Sequence, residues 1–239
     1  MLTTRFLGGL NTIMFFELSN ELSKYEVPYE LIPIEDVKSG KVNIPESWFF
    51  LYESPKNEWA KEVIEQWSTF GLFLPKFTAC ISRCLYSVEI VKIESFVTLI
   101  YVFDVEGEPY LYFGGNPKEI DDSESVTMVL DSLPSKLKEF YLDVHDGFGF
   151  LADSSMGPLS THSFFNLSQP NWVNLNKRSD YPFGLNLSDW NVVYVDEGDF
   201  LALNKYNSDE CVLWRRNSPL EYVDFWSVLD QMMTDGLLE

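Results

Sequence analysis

LYSVEIVKIESFVTLIYVFDVEGEPYLYFGGNP, residues 85–117, is the stretch that decides the fold class. Two runs in it, LYSVEIVKI and FVTLIYVFDV, are dense in β-branched and aromatic residues and read as strands. Glu106-Gly107-Glu108-Pro109 reads as a turn into a third strand, YLYF at 110–113, which Gly114-Gly115-Asn116-Pro117 closes. Successive strands without long helices between them predict a mainly antiparallel sheet.

Upstream, residues 28–46 hold three prolines and a Ser-Gly turn, which predicts irregular structure or short edge strands. The aromatic run SWFFLYE at 47–53 reads as a strand. Residues 55–68 read as a helix, with Pro55 near its start and Trp59, Val63 and Trp67 recurring every four residues. Downstream, the polar stretch 117–125 is the best boundary, dividing an αβ segment over 1–123 from a domain over 124–239. The first segment reads either as a separate unit or as an extension of one sheet. A helix is predicted over 124–131. A second follows Leu133-Pro134, with Leu137, Phe140, Tyr141 and Val144 on one face and a stop at Asp146-Gly147. Residues 148–190 are rich in turn formers; 192–195, 199–204 and 211–214 read as strands. Asp224 caps a last helix whose apolar stripe is Phe225, Val228, Leu229, Met232 and Met233. The fold class is therefore α+β, a mainly antiparallel sheet with helices packed on it.

Of the 239 residues, 46% are hydrophobic and 16% aromatic, enough for a sizeable core. Lys and Arg total 17 against 37 Asp and Glu, a net charge of −20 that is spread along the chain. Such a surface repels phosphate, which argues against nucleic acid and anionic membrane as partners, and it attracts basic proteins. The same acidity also serves to keep an aromatic-rich protein in solution. Cys80, Cys84 and Cys211 form no disulfide framework and suit a reducing compartment. No run approaches the length of a membrane span. Residues 1–23 imitate a signal peptide only faintly, since Asn11 and Thr12 interrupt the apolar stretch and Glu17 and Glu21 follow it. They read as a buried or interfacial element, and a cytoplasmic protein is expected.

Residues that could carry catalysis are few. There are two histidines, His145 and His162. Asp143-x-His145-Asp146 has the makings of an acid–base pair or metal site, but also suits a helix end. Cys80-x-x-x-Cys84 would offer two zinc ligands if helical, but no second pair lies nearby and the run reads as ordinary core. Gly147-x-Gly149-x-x-Ala152 matches a loose dinucleotide fingerprint, but a helix precedes it and Asp153-Ser154-Ser155-Met156-Gly157-Pro158 follows. Basic residues never cluster beyond Lys177-Arg178 and Arg215-Arg216. No enzyme activity, cofactor or metal is expected. Trp172, Tyr181, Phe183 and Trp190, beside Asp180 and Asp189, read either as a partner-binding patch of aromatic anchors ringed by carboxylates or as core beneath long loops.

LPSKLKEFYLDVHDG at 133–147 resembles the signature of the SUKH superfamily, in which Leu-Pro opens a helix that ends in a polar residue and glycine. Asp199-Phe200-Leu201-Ala202-Leu203, Cys211-Val212-Leu213-Trp214 and Asp224-Phe225-Trp226-Ser227-Val228-Leu229 follow in the order of that family's strand, strand and terminal helix. The resemblance covers about residues 124–239; the long stretch before 124 has no counterpart, and the linker at 148–190 is long. It implies an αβ fold and a binding role. Many SUKH proteins are immunity proteins that block toxin domains, often nucleases; others are regulators. The expectation is thus an immunity-type protein for a basic cognate toxin, the alternative being a SUKH-like regulator or scaffold with no toxin partner. The family offers no catalytic residues to carry over.

Overall fold

A computed structural model describes residues 18–24, 28–152, 155–169, 185–196, 198–215 and 218–238. In chain order these form α1 (Leu18–Lys24), β1 (Tyr29–Leu31), α2 (Ile34–Lys38), α3 (Phe50–Glu53), α4 (Trp59–Ser68) and α5 (Pro75–Cys84). Then come β2 (Leu85–Ile93), β3 (Phe96–Val105), β4 (Glu108–Gly115), α6 (Glu124–Ser132), α7 (Ser135–Glu139) and β5 (Phe148–Phe150). The rest is β6 (Phe165–Asn166), β7 (Trp190–Asp196), β8 (Asp199–Asn204), β9 (Asn207–Trp214), β10 (Glu221–Val223) and α8 (Phe225–Leu238).

The strands make two five-stranded sheets with neighbours β1-β2-β3-β4-β5 and β10-β9-β8-β7-β6, every pair antiparallel. This is the α+β class that the alternating pattern predicts. The β3–β4 hairpin turns on Glu106 and Gly107, with φ of 55° and 92°; positive φ at both central residues matches the twist of the flanking strands. Alternation sorts the side chains of β3. Leu99, Tyr101 and Phe103 enter the main core, while Ile100 and Val102 face the other way, under Leu22 of α1. The main core also takes Trp59, Val63 and Trp67 of α4, Phe77 and Ile81 of α5, and Val193, Leu201 and Leu213 of the second sheet. A smaller cluster around Trp190, Val192, Phe200 and Trp214 lines the second sheet's other face. Among the described residues no helix is long and apolar enough to cross a membrane.

One segment departs from its reading. SWFFLYE is helical, a 3-10 turn over Glu46–Trp48 leading into α3. Its aromatic composition favours a strand, but Trp48, Phe50 and Leu51 are the buried members, a spacing that one turn of helix satisfies and strict alternation does not. Trp48 Nε1 also donates to the Val144 carbonyl at 2.9 Å, which fixes the turn against the chain about a hundred residues later. The helices α4, α6 and α8 lie where the periodicity puts them, and α8 is capped by Asp224, whose Oδ1 accepts from Ser227 N at 2.8 Å. The apolar face of α7 continues through a wider π turn over Phe140–Val144, closed by His145 N donating to the Phe140 carbonyl at 2.9 Å. That extra residue per turn leaves Phe140, Tyr141 and Val144 all buried.

The sheets meet along one seam. Phe148 N donates to the Pro158 carbonyl at 2.8 Å, Phe150 N to the Ser155 carbonyl at 2.8 Å, and Leu159 N to the Val193 carbonyl at 2.9 Å. The segment 155–159 thereby joins β5 of the first sheet to β7 of the second. Residue 123, the boundary suggested by composition, lies within this connected body: β5 follows it in sequence yet completes the first sheet, and the main core draws on both sides of it.

Two substitutions test this arrangement. Gly147 has a φ of +79°, and a Cβ there would lie 2.5 Å from Ser160 N. Gly147→Ala is expected to lower unfolding stability by about 2–3 kcal/mol, combining backbone strain and a clash; an unchanged denaturant midpoint would contradict the packing described. Asp230 of α8, buried, accepts from Phe77 N (2.9 Å) and Lys76 N (3.2 Å), capping α5 from another helix because Leu74 has no side chain able to do so. Asp230→Ala is expected to cost about 2 kcal/mol, the upper range for loss of a cap; Asp230→Asn, which keeps an acceptor, is expected to recover part of it in the same assay.

Candidate functional site

His145 and Asp146, adjacent in sequence, part company in space. The His145 ring is wholly buried among Trp48, Trp67, Tyr101, Phe140 and Phe148, with ring centroids 5.5–6.2 Å away. Trp67 Nε1 donates to the Tyr101 hydroxyl at 3.3 Å, and that hydroxyl is hydrogen-bonded in turn to His145 Nε2 at 2.5 Å. The other ring nitrogen, Nδ1, lies against the Gly115 backbone without a well-formed hydrogen bond. Burial lowers the His145 pKa to about 3, the Gly115 backbone opposing this only in part. A shift of that size separates the charged and neutral rings by on the order of 5 kcal/mol. His145 is a neutral core residue, sealed from substrate. Asp143, its partner in the spacing pattern, is exposed; its backbone carbonyl accepts from the Ser47 hydroxyl.

The thiols are equally enclosed. Cys80 and Cys84 lie buried on one face of α5, and burial raises the Cys80 pKa. Burial likewise pushes Cys211 up to about 12. Metal binding needs thiolates, which these surroundings disfavour. Among the described residues no group of three or more His, Cys, Asp or Glu side chains is placed to hold a metal ion.

Asp146 turns the other way. Its Oδ1 accepts from Thr161 N at 2.8 Å and its Oδ2 from Thr161 Oγ1 at 3.1 Å. It lines a recess of about 330 Å³ on the outer face of the first sheet. Ile93, Val97, Phe113 and Leu151 make its apolar lining, with the exposed Phe96 and His162 rings on its rim, tilted against each other with centroids 5.3 Å apart. The second carboxylate there is Glu119, held by Val97 N at 2.9 and 3.2 Å to its two oxygens. Burial raises the pKa of both acids. For Glu119 the Asp146 charge adds to the rise, while Lys92 and His162 pull it back down; for Asp146 the Thr161 hydrogen bonds and His162 oppose it. Among the described residues neither carboxylate has an ion-pair partner. Two further hollows share lining residues with this recess, one Val97 and Glu119, the other His162.

Of the aromatic and acidic residues that the sequence groups as a partner-binding patch, Trp172, Asp180, Tyr181 and Phe183 lie outside the described residues. Trp190 is a core residue, 2% exposed, at the start of β7. Asp189 is engaged by Lys205 Nζ at 2.8 Å and Asn186 Nδ2 at 2.9 Å. Trp190 thus presents no ring to a partner, because alternation along β7 puts it into the second sheet's outer cluster. The recess, by contrast, is assembled from positions 93–98, 113–119, 146, 151 and 160–162. No short motif joins them; the one local signal was Asp146-Gly147, and Glu119 sat inside a stretch that composition made a linker. The Gly147-x-Gly149 pattern belongs to β5 and the turn before it, and among the described residues no helix directly follows it to bind a phosphate. No family model matches the chain, nor does any curated protein or solved structure.

The buried histidine has a measurable consequence. Its folded pKa lies below the unfolded value of 6.5, so its contribution to stability is complete above pH 6.5 and is lost as the pH falls toward about 3. Glu119 and Asp146, both raised, act in the opposite sense, favouring the fold as they protonate. The His145 ring carbon–proton resonances are expected to stay fixed from pH 8 to about pH 5, whereas an ordinary histidine titrates there; a midpoint within that range would refute the sealed geometry.

Proposed function

We propose that this chain is an immunity-type protein that binds and neutralises a basic cognate toxin domain. The observation that carries the reading is an apolar recess with two carboxylates that have no ion-pair partner among the described residues, on a protein of net charge −20. A basic partner gains twice from such a surface. The long-range field raises its encounter rate, and the recess gives a concave anchor point where apolar contact and charge act together. Nuclease toxins bind phosphate and are basic for that reason, so they fit this field. The SUKH-like order of motifs over 133–147, 199–203, 211–214 and 224–229 supports the same reading, since binding rather than catalysis is the usual role in that family.

The test is capture from the native host at low salt, followed by expression of the captured protein's candidate toxic domain with and without this chain. The expected result is a basic polypeptide whose expression alone stops growth, whose toxicity co-expression relieves, and whose association rate falls about tenfold or more as ionic strength rises. Capture of nothing toxic, or an association rate indifferent to salt, would overturn the proposal.

A further inference from the structure

We infer that the recess between the β2–β3 turn and the Thr161–Ser163 turn is an arginine-binding site, taking the guanidinium beside the Glu119 and Asp146 carboxylates and the side chain's methylene stem along Phe113 and Leu151. The arginine would be the partner's, so this rests on the binding role proposed above, but the site itself can be tested without any partner.

Size comes first. A volume of about 330 Å³ admits one long side chain, not a folded element. Chemistry then selects which. Ile93, Val97, Phe113 and Leu151 give the recess apolar walls, which suit a methylene stem, while both carboxylates suit its charged end. Each carboxylate is already aimed. Val97 N fixes Glu119, and Thr161 fixes Asp146 through its amide and its hydroxyl. An ionised carboxylate accepts at about four positions, so these bonds orient the groups without saturating them. No entropy remains to be lost by the acceptors when a donor arrives.

Electrostatics points the same way. The two acids line one partly desolvated recess, where the Asp146 charge raises the Glu119 pKa and Lys92 and His162 act on Glu119 in the opposite sense. A cation entering the recess relieves that repulsion, whereas an anion would deepen it. Between the two basic side chains, the rim favours arginine. The exposed Phe96 ring, 5.3 Å from His162, offers a flat face on which a planar guanidinium stacks, and the fork of arginine donors can serve two carboxylates at once.

The full chain, labelled with nitrogen-15, would be titrated with N-acetyl-arginine amide and, separately, with N-acetyl-citrulline amide, which has nearly the same shape and no charge. The Val97 and Thr161 amides, which donate to the two carboxylates, report directly. Saturable shifts of these amides and of Gly115 are expected with the arginine compound alone. Glu119→Gln, which keeps an acceptor for Val97, is expected to weaken binding about fivefold, the upper range for a single exposed charge pair. Phe96→Ala, on the rim, is expected to weaken it independently, while Glu108→Gln, remote on β4, leaves it unchanged. Equal shifts from citrulline, no saturable shift, or indifference to both Glu119→Gln and Phe96→Ala would overturn the inference. Failure here alongside capture of a basic toxin would reject the site and leave the binding role standing; success here with no toxic partner would do the reverse.

Discussion

Backbone meets backbone at Gly157, where a Cβ would lie 1.9 Å from the Phe148 carbonyl oxygen, and the two-sheet body depends on that approach. On one side of the contact run His145–Phe148, on the other Ser155–Ser160. Gly147 fits against Ser160, Gly115 against the Asp146 carbonyl, and Gly114 against the His145 ring. Each glycine lets a strand and a loop approach closely enough for the seam's hydrogen bonds to form. Without them the first sheet would end at β4, since β5 is three residues long and pairs only through Tyr112, Phe113 and Gly114. An isolated short strand contributes little by itself. Here it is held from both sides, by β4 and by the 155–158 segment.

The seam also decides which way consecutive residues point. With His145 directed into the main core and Asp146 toward the outer recess, one dipeptide serves both faces of the first sheet. A polar ring in the core needs a partner, and the Tyr101 hydroxyl, itself bonded to Trp67, supplies one. The low-dielectric surroundings strengthen these bonds and, equally, forbid the charged ring. His145 is therefore a neutral ring held by the Tyr101 hydroxyl within an aromatic cluster. The same burial that removes it from catalysis raises the stakes for every group that touches it, because a stranded polar atom there costs about 1–3 kcal/mol.

Periodicity made most of the elements legible in the sequence. The β2–β3–β4 meander, α4, α6, α8 and the strands β7 to β9 are long enough for alternation or a 3.6-residue stripe to show. Short elements escaped. The β10 strand has three residues and weak alternation, and SWFFLYE carries strand-like composition in a helical turn whose anchor, the Val144 carbonyl, is remote in sequence. The glycine after Asp146 was readable as a helix end, but its tight fit against Ser160 was not, since that is a property of the seam. The recess was illegible for the same reason. Its two acids are separated by 27 positions and become neighbours only when β4, the Asp-Gly turn and the Thr161 turn converge. In a chain with 37 acidic residues, nothing local marks Glu119 and Asp146 apart from the rest.

What marks them is context that only the fold supplies. Many of the described carboxylates stand in water, where counter-ions screen them and where several already pair with lysine, as Glu65 does with Lys61 and Asp131 with Lys138. Such pairs contribute little to stability and offer little to a partner. Glu119 and Asp146 differ in being partly desolvated, bound by backbone amides and unneutralised among the described residues. A charge in that state retains more of its Coulomb attraction than an exposed one, since the effective dielectric around it is lower. The diffuse acidity of the surface and the two enclosed acids thus perform separate tasks. The field of the first reaches a distance and is screened by salt; that of the second is felt at close range and is screened less.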